Sequence, residues 1–256
     1  MKKGIIFFTV LAGIAFTLFA QEAEEIVRES RERIKADTVS TRSKIVICAK
    51  DGTTSERIIV QFSKDGPKGA RSVIIFQQPA NIANTRFLTM KNPGGADDRW
   101  IFLPSLGKVR RIAASEGSGS FMGTDFSYDD ISSVSRGADL DTHTVLRREN
   151  LNGESCYVIQ SVPKDSSYQY SKMIQWITED SKITVKIDLY DKKNTLVKTA
   201  EMSAVREIQG RFPTTVTKMT THTAGTNTTF TMDIKYDDPI QEKVFTVEFL
   251  ETGKIR

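Results

Sequence analysis

The sequence is poor in the residues that build metal centres and disulfide frameworks, with two cysteines and two histidines among 256 residues. His143 and His222 do not stand at a spacing typical of zinc ligands with either cysteine. Cys48 and Cys156 each lie in an apolar, strand-like pattern. The sequence leaves open whether they form a disulfide or remain as two buried thiols. We therefore expect no metal and no other cofactor.

Catalytic motifs are also missing. The run Gly117 to Ser120 lacks the spacing of a nucleophile elbow, and no phosphate-binding GxxxxGK sequence occurs. The aspartates between residues 125 and 130 do not have the spacing of a calcium loop. His143 stands close to aspartates and serines, which keeps a lipid hydrolase open as a less favoured alternative. A solvent-exposed histidine at the start of a strand is far commoner, so we predict that the protein is not an enzyme.

Neither sign of charge dominates, since 36 Lys and Arg residues face 32 Asp and Glu residues. Nucleic-acid-binding proteins usually carry a basic face or stripe, so we expect no nucleic-acid partner. The sequence shows repeated strand signals and no linker rich in proline and glycine. These features favour one large β domain over two smaller ones.

A long hydrophobic run occurs at the N-terminus. Two lysines precede the apolar stretch Gly4 to Phe19, and Ala20 supplies a small residue for cleavage. The pattern predicts a signal peptide over residues 1–20 and a single domain over residues 21–256. The alternative is an uncleaved anchor, because such a run nearly spans a bilayer. No cysteine follows the run, so we expect no lipid-modified N-terminus.

Glu22 to Ala36 is the clearest helix. Ile26, Ser30 and Ile34 recur at helical spacing, with Ala23 widening the apolar stripe. The opposite side carries Glu–Arg pairs four residues apart. We expect an amphipathic helix that packs on a sheet.

Strand signals fill most of the remaining chain. Asp51-Gly52 and Asn152-Gly153 separate apolar runs and predict hairpins. Residues 71–77 are apolar on both faces, which a sheet needs only where something covers its second face. Residues 228–236 instead alternate between apolar and polar side chains, typical of an antiparallel sheet with one wet face. We expect about ten or eleven strands, in a sheet that must curl.

Residues 100–133 carry the most distinctive pattern. A strand, a turn at Pro104 to Gly107 and a returning basic strand form a hairpin. A glycine- and serine-rich segment and a cluster of aromatic residues follow. We expect a mobile, aromatic-rich flap suited to an apolar ligand, with Thr124 or Asp125 capping a short helix through Ser127 to Asp130.

This stretch resembles the outer-membrane lipoprotein-sorting family, whose relatives are the periplasmic lipoprotein carriers LolA and LolB. In that family a W-x-[FY]-L-P…K-V-R-R-I strand pair leads into F-M-G-[ST]-D-F-[ST]-Y-[DE]-D. The matching residues here are Trp100, Leu103, Pro104, Lys108 to Ile112 and Phe121 to Asp130. The resemblance implies a mainly β (α+β) fold, with one large curved antiparallel sheet forming an unclosed half-barrel. A few helices cover its concave face.

The resemblance also implies a function. We expect a monomeric periplasmic carrier that binds the acyl chains of a lipoprotein or lipid and ferries the cargo toward the outer membrane. An inner-membrane donor protein and an outer-membrane acceptor protein are the partners that such a cycle needs. The alternative is a lipid-sensing regulatory or scaffold module, because half-barrels of this kind include stress sensors resembling RseB. Those sensors carry a second domain.

The carrier hypothesis assigns roles to individual side chains. Arg110 and Arg111 would form a cationic rim for a phosphate or carboxyl headgroup, since arginine binds such groups bidentately. Because the two arginines are adjacent in a strand, they point to opposite faces, and at most one of them can line a pocket. An ordinary solvent-exposed strand face accounts equally well for the presence of both arginines. The expected acyl-chain contacts are Phe76, Trp100, Phe102, Phe121, Met122, Phe126, Tyr128, Phe230 and Met232.

Overall fold

The computed structural model describes residues 21–67, 69–92, 95–132 and 137–254. The predicted signal peptide lies outside the described residues. Among the described residues, no helix has the length and apolar character needed to cross a membrane.

The described residues form one antiparallel sheet of thirteen strands and three short α-helices. The helices are α1 (residues 21–32), α2 (Tyr128–Ser132) and α3 (Val247–Thr252). The strands are β1 (Thr38–Cys48), β2 (Thr54–Lys64), β3 (Arg71–Gln78), β4 (Arg86–Met90), β5 (Asp98–Leu103), β6 (Lys108–Arg111), β7 (Asp141–Leu151), β8 (Glu154–Pro163), β9 (Lys172–Thr178), β10 (Thr184–Tyr190), β11 (Leu196–Val205), β12 (Thr214–Thr221) and β13 (Thr226–Tyr236).

The strand order is β6-β5-β4-β3-β2-β1-β13-β12-β11-β10-β9-β8-β7. The sheet is open, because β6 and β7 end this order and do not pair with each other. The predicted class, mainly β with one unclosed antiparallel sheet, is confirmed. The expected number of strands was too low. β4, β5 and β6 contain only four to six residues each.

The chain divides into two compact units. Of the described residues, those within 21–34 and 137–201 form unit 1, and those within 35–132 and 202–254 form unit 2. The strand β11 contributes to both units.

In unit 1 the helix α1 packs on the sheet, as its periodicity predicts. Ala23, Ile26 and Val27 are buried against Ile159 of β8 and Ile177 of β9. The helix ends at residue 32, four residues before the predicted end, and the chain then enters β1. On the exposed side of the helix, Arg28 pairs with Glu25 and Glu32.

In unit 2 the strands β3 and β4 are buried on both faces, which accounts for their continuous apolar sequence. Val73 and Leu88 face the C-terminal segment, where Phe245, Phe249 and Leu250 are buried against them. That segment ends in α3, which Thr246 caps by accepting a hydrogen bond from the Phe249 amide at 3.1 Å. The alternate side chains of the same strands face a different cover, the chain that follows β6.

Both cysteines are free thiols. Cys156 is buried, as its apolar pattern predicts, whereas Cys48 is only partly buried. No group of three or more histidine, cysteine or acidic side chains within the described ranges could hold a metal ion.

Candidate functional site

The chain after β6 forms the second cover of unit 2. We call residues 112–132 the covering segment. It begins at Ile112, whose amide bonds to the Arg99 carbonyl of β5, and it includes α2. The segment folds back on itself, because Phe121 and Phe126 pair through a backbone hydrogen bond of 2.7 Å and Ser120 and Ser127 form a β-bridge.

A tight turn forms the tip of the covering segment. The Thr124 amide donates to the Phe121 carbonyl at 3.0 Å, and the two residues between them have positive φ angles of 52° at Met122 and 76° at Gly123. Glycine adopts this conformation without the steric cost that a side chain adds. The turn therefore requires the glycine of the F-M-G pattern.

The aromatic side chains of the covering segment are buried against the sheet. Phe121 has no exposed surface and lies 5.8 Å from the ring of Phe76 and 5.3 Å from that of Phe87. Tyr128 contacts both Phe87 and Phe121 at centroid distances of 5.5 and 5.7 Å. Burial raises the pKa of Tyr128. These rings form one continuous aromatic cluster between β3, β4 and the covering segment.

A second aromatic contact reaches β13. Phe126 packs edge-to-face on Phe230 with ring centroids 4.9 Å apart. The alternation predicted for β13 is present, since Phe230, Ile234 and Tyr236 are buried while the residues between them are more exposed. Met232 lies on the same face of the strand and is partly buried.

Polar contacts position the segment between these aromatic anchors. The Asp125 carboxylate is buried and accepts hydrogen bonds from the hydroxyls of Thr226 and Thr228, the latter at 2.6 Å. The Asp125 amide donates to the Thr228 hydroxyl at 3.0 Å. Arg57 of β2 donates to the Met122 carbonyl at the tip. Hydrogen bonds to an ionised carboxylate are stronger than those between neutral groups, so this set defines where the segment sits on the sheet.

The other end of the segment is held by an ion pair. Arg99 of β5 donates to Asp129 at 2.6 Å, and both side chains are largely buried. A Cβ atom at Gly117 would lie 2.4 Å from the Asp129 carboxylate, so glycine is needed there for close approach. The short helix predicted at this place is confirmed as α2, but Ser127 caps it rather than Thr124 or Asp125. The Ser127 hydroxyl accepts from the Asp130 amide at 3.0 Å, and the Asp130 carboxylate accepts from the Ser127 amide at 2.8 Å.

The structure brings most of the predicted acyl-contact residues together, but not all of them. Phe76, Phe121, Phe126, Tyr128 and Phe230 belong to the two aromatic contacts above. Trp100 and Phe102 pack with the C-terminal segment instead. Their neighbour Ile101 pairs with Phe87, and alternate residues of a strand point to opposite faces. The nine residues therefore do not all lie on one face of the sheet, and their role in acyl-chain binding stays a prediction.

The two arginines predicted to form a headgroup rim both have acidic partners. Arg110 pairs with Glu116 at 2.6 Å, and Arg111 pairs with Asp98. Both guanidinium groups are exposed. Arg111 also lines a cleft of about 330 Å³ together with Asp97 and Ile112. Their role in headgroup binding stays a prediction.

A larger cleft of about 440 Å³ lies at the end of β2 and β3. Its lining includes Arg57, Ile58, Gln77 and Gln78, and none of the predicted site residues. Sequence reasoning missed Arg57, because an arginine at the start of a strand carries no distinguishing pattern.

His143 lies in unit 1, in an environment that differs from the expected one. The side chain is buried rather than exposed, with Nδ1 2.7 Å from the Ser161 hydroxyl and Nε2 2.9 Å from the Ala138 carbonyl. Gln175 donates to the same serine at 2.6 Å. Since Ser161 has no exposed surface, the pair lacks the access to substrate that a nucleophile and its base need.

Comparisons with known proteins agree with this fold. A family model described as "-like: Uncharacterized protein" matches residues 68–252. A DUF1329 family protein from Desulfovibrio piger superposes with a TM-score of 0.86 at 26% identity, covering 91% of this chain and 99% of that one. A domain from Vibrio parahaemolyticus named for outer membrane lipoprotein sorting superposes with a TM-score of 0.85 at 26% identity, with the same coverage of both chains.

A LolA superfamily protein from Nitrosomonas europaea shares the fold, with a TM-score of 0.72 at 23% identity over 89% of this chain and 98% of that one. No curated protein matches the sequence. The resemblance to the lipoprotein-sorting proteins that residues 100–133 indicate is confirmed.

Proposed function

The chain belongs to the family whose model it matches over residues 68–252, and we propose that it is a periplasmic carrier for the acyl chains of a lipoprotein or lipid. The observation that carries this proposal is the aromatic cluster beneath the covering segment. Phe121 and Phe126 occupy the face of the sheet on which an acyl chain would lie. The cargo binds when the covering segment moves aside.

The energies favour such an exchange. Exposing two phenylalanine side chains costs about 3–6 kcal/mol. Burying an acyl chain of about fourteen carbons contributes a favourable free energy on the order of 10 kcal/mol, at about 0.8 kcal/mol per CH₂. A long chain therefore displaces the covering segment, whereas a short one does not. The aromatic rings close the site when the carrier is empty and prevent exposure of a large apolar patch.

The polar anchors suit a cover that opens repeatedly. When the segment lifts, the Asp125 carboxylate and the threonine hydroxyls exchange their hydrogen bonds for bonds to water. The net free energy of such an exchange is small, about 0.5–3 kcal/mol for each bond. In this proposal the acyl chain contacts Phe76, Phe126, Phe230 and Met232. Trp100 and Phe102, on the other face, do not contribute.

The remaining parts of the carrier cycle follow from the same proposal. Residues 1–20 direct export and are removed, so that the mature protein is a single domain beginning at or near Gln21 and carries no lipid of its own. A donor at the inner membrane loads it and an acceptor at the outer membrane unloads it as a monomer. Tandem mass spectrometry of the N-terminal peptide from the native envelope tests the export step. A peptide that retains Met1 contradicts it.

A reversible covalent lock tests the opening of the cover. The side chains of Asp125 and Thr228 already meet at 2.6 Å, so Asp125→Cys with Thr228→Cys places two thiols side by side. A Cys48→Ser background removes the nearby native thiol. We expect the oxidised protein to lose binding of an eleven-carbon dansyl fatty acid by tenfold or more, and dithiothreitol to restore it.

Two controls make this result specific. The same protein with Thr228→Cys alone has no lock, and its binding must not depend on the redox state. A shorter five-carbon dansyl acid must bind weakly in every form, because it recovers too little apolar contact to displace the aromatic rings. If the locked protein binds the long probe as well as the reduced protein does, the acyl site does not lie beneath the covering segment.

A further inference from the structure

Arg57 is a half-buried cation without an anionic partner. In the part of the chain that the structure describes, no carboxylate forms an ion pair with it, and its hydrogen bond goes to the neutral Met122 carbonyl. Two other arginines of unit 2 have acidic partners, since Arg99 contacts Asp97 and Asp129, and Arg71 contacts Glu242. Arg86 resembles Arg57 in donating to a backbone carbonyl, that of Leu250 at 2.6 Å, but it does not line the cleft described below.

The neighbouring acid does not supply the missing charge. Glu56 pairs with Lys44 of β1 at 2.6 Å. Glu56 also lines the cleft that contains Arg57, but adjacent residues of a strand point to opposite faces and the Glu56 carboxylate is bound by Lys44. Arg57 is opposite the buried Ile45, on the face that the covering segment occupies. Desolvation by this burial lowers the pKa of Arg57, which shows that the cation is removed from water without compensation.

Arg57 also lines the cleft of about 440 Å³. The cleft exists because the register of β2 and β3 shifts between Ile58 and Ile59, which leaves Gln77 as an extra residue in a bulge. The bulge and the following Pro79 turn the chain away from β2. Gln77 and Gln78 are exposed and add two side-chain amides to the lining, and each amide can donate hydrogen bonds.

We propose that this cleft is an oxyanion site, in which Arg57 and the two glutamine amides bind a phosphate group. The proposal rests on the proposed function, because the phosphate that it would meet is the headgroup of an amphiphile whose chain lies beneath the covering segment. The tip of that segment borders the site, since the Cβ position of Gly123 is 3.6 Å from the Arg57 guanidinium. A guanidinium offers five donors in a planar fork, so it binds phosphate while one donor stays on the Met122 carbonyl.

The site would give the carrier a preference among amphiphiles of equal chain length. Binding of dodecyl phosphate and of the uncharged dodecyl glucoside, both below their micellar concentrations, measures this preference by isothermal titration calorimetry. Inorganic phosphate is titrated separately by NMR. We expect the intact mature protein to bind dodecyl phosphate at least tenfold more tightly than dodecyl glucoside.

Three variants locate the preference. Arg57→Met is expected to abolish it, and Arg57→Lys is expected to retain part of it because the charge remains without the fork. Gln78→Glu places a carboxylate in the cleft and leaves the contact between Arg57 and Met122 untouched. This variant is expected to abolish the preference in a protein that folds normally. As a control, Arg147→Met removes an exposed, ion-paired arginine of unit 1 and must leave the preference unchanged.

The outcomes separate this site from the carrier function. Equal binding of both dodecyl ligands by the wild type, with no change in Gln78→Glu, overturns the oxyanion site and leaves the carrier proposal standing. If neither dodecyl ligand binds, the carrier proposal fails. In that case the titration with inorganic phosphate tests the oxyanion site independently of the carrier function. A phosphate-dependent shift that Gln78→Glu removes supports a site for free phosphate, and its absence overturns the proposal.

Discussion

The two units cover an apolar sheet face in different ways. In unit 1, α1 lays Ala23, Ile26 and Val27 on aliphatic side chains of β8 and β9. The side-chain contacts of α1 with the sheet include the neutral hydrogen bond between Ser30 and Thr184 at 2.9 Å and the exposed pair of Glu22 with Arg148 of β7 at 3.9 Å. Most of the buried side chains of α1 are apolar.

In unit 2 the covering segment combines buried rings with buried charge. Phe121 packs in an aromatic cluster, while Asp125 and Asp129 bind to β13 and β5 through hydrogen bonds and an ion pair. Apolar burial supplies most of the stabilisation in both units. The polar contacts of the covering segment add little net free energy, but they define its position and are recovered by water on opening. The glutamates of α1 are all exposed, whereas the covering segment buries Asp125 and Asp130. The helix therefore suits a permanent cover, and the segment suits a removable one.

The strongest test of the aromatic part of this comparison is Phe121→Ala. Because the ring is fully buried between Phe76 and Phe87, we expect the free energy of unfolding in urea to fall by about 3–5 kcal/mol. Phe212→Ala, at a site 52% exposed, is the matched control and is expected to change it by less than about 1 kcal/mol. A loss below about 1 kcal/mol for Phe121→Ala would mean that the segment is not packed as the structure has it.

That prediction reverses what the sequence suggests. Glycines at 117, 119 and 123 favour a mobile flap whose side chains contribute little to folding. In the structure, two of these glycines are required by folded geometry. Gly117 allows the close approach of Asp129, and Gly123 adopts a positive φ. Glycine content alone does not distinguish a disordered segment from one that is folded tightly.

Periodic features were predictable, and features that depend on tertiary partners were not. The helical stripe around Ile26 and the alternation around Phe230 follow from local geometry, and both are present. Apolar side chains on both faces of β3 correctly indicated a second cover. The sequence could not assign Trp100 to one face, nor show that Arg57 lacks a counter-charge, because both depend on residues far away along the chain.

The apolar cover of unit 1 is tested by Ile26→Ala. The side chain is buried against Ile159 and Ile177, so we expect a loss of about 2–5 kcal/mol in the free energy of unfolding. Glu29→Ala on the exposed side of α1 is the control and is expected to change it by no more than about 0.5 kcal/mol. Similar losses from both variants would contradict the placement of α1.

The polar anchor of the covering segment is tested by Asp125→Asn. An asparagine side chain has one acceptor oxygen in place of the two carboxylate oxygens that accept from the hydroxyls of Thr226 and Thr228. One buried hydrogen bond is therefore lost, at a cost of about 1–3 kcal/mol in the free energy of unfolding. Hydrogen exchange of the amides from Phe121 to Ser127 is expected to accelerate more than that of β3. Asp233→Asn changes an exposed carboxylate of β13 and must leave both rates unaltered. Equal acceleration of amide hydrogen exchange in the covering segment and in β3 would mean that the segment does not open independently of the sheet.

The smallest expected effect concerns His143, whose burial gives unit 1 a dependence on pH. Nε2 faces the Ala138 carbonyl and therefore carries the proton, while Nδ1 accepts from the Ser161 hydroxyl. Burial, the largest cause, lowers the pKa of His143. Among the charged groups around it, Asp141 of β7 and Glu24 of α1 oppose this shift, and Arg31 of α1 reinforces it.

Because the folded pKa of His143 lies below the unfolded value of about 6.5, the unfolded chain binds a proton more readily than the folded protein does. The free energy of unfolding should therefore fall as the pH drops below about 6.5, by at most about 1.4 kcal/mol per pH unit, until the folded pKa is reached. His143→Gln keeps a donor for Ala138 and an acceptor for Ser161 but does not titrate. Urea unfolding of both proteins at pH 7.5 and pH 5.5 separates this histidine from the carboxylates, whose contribution is common to both. We expect the wild type to lose more stability over this interval than His143→Gln, and equal losses would show that His143 is not buried as a neutral side chain.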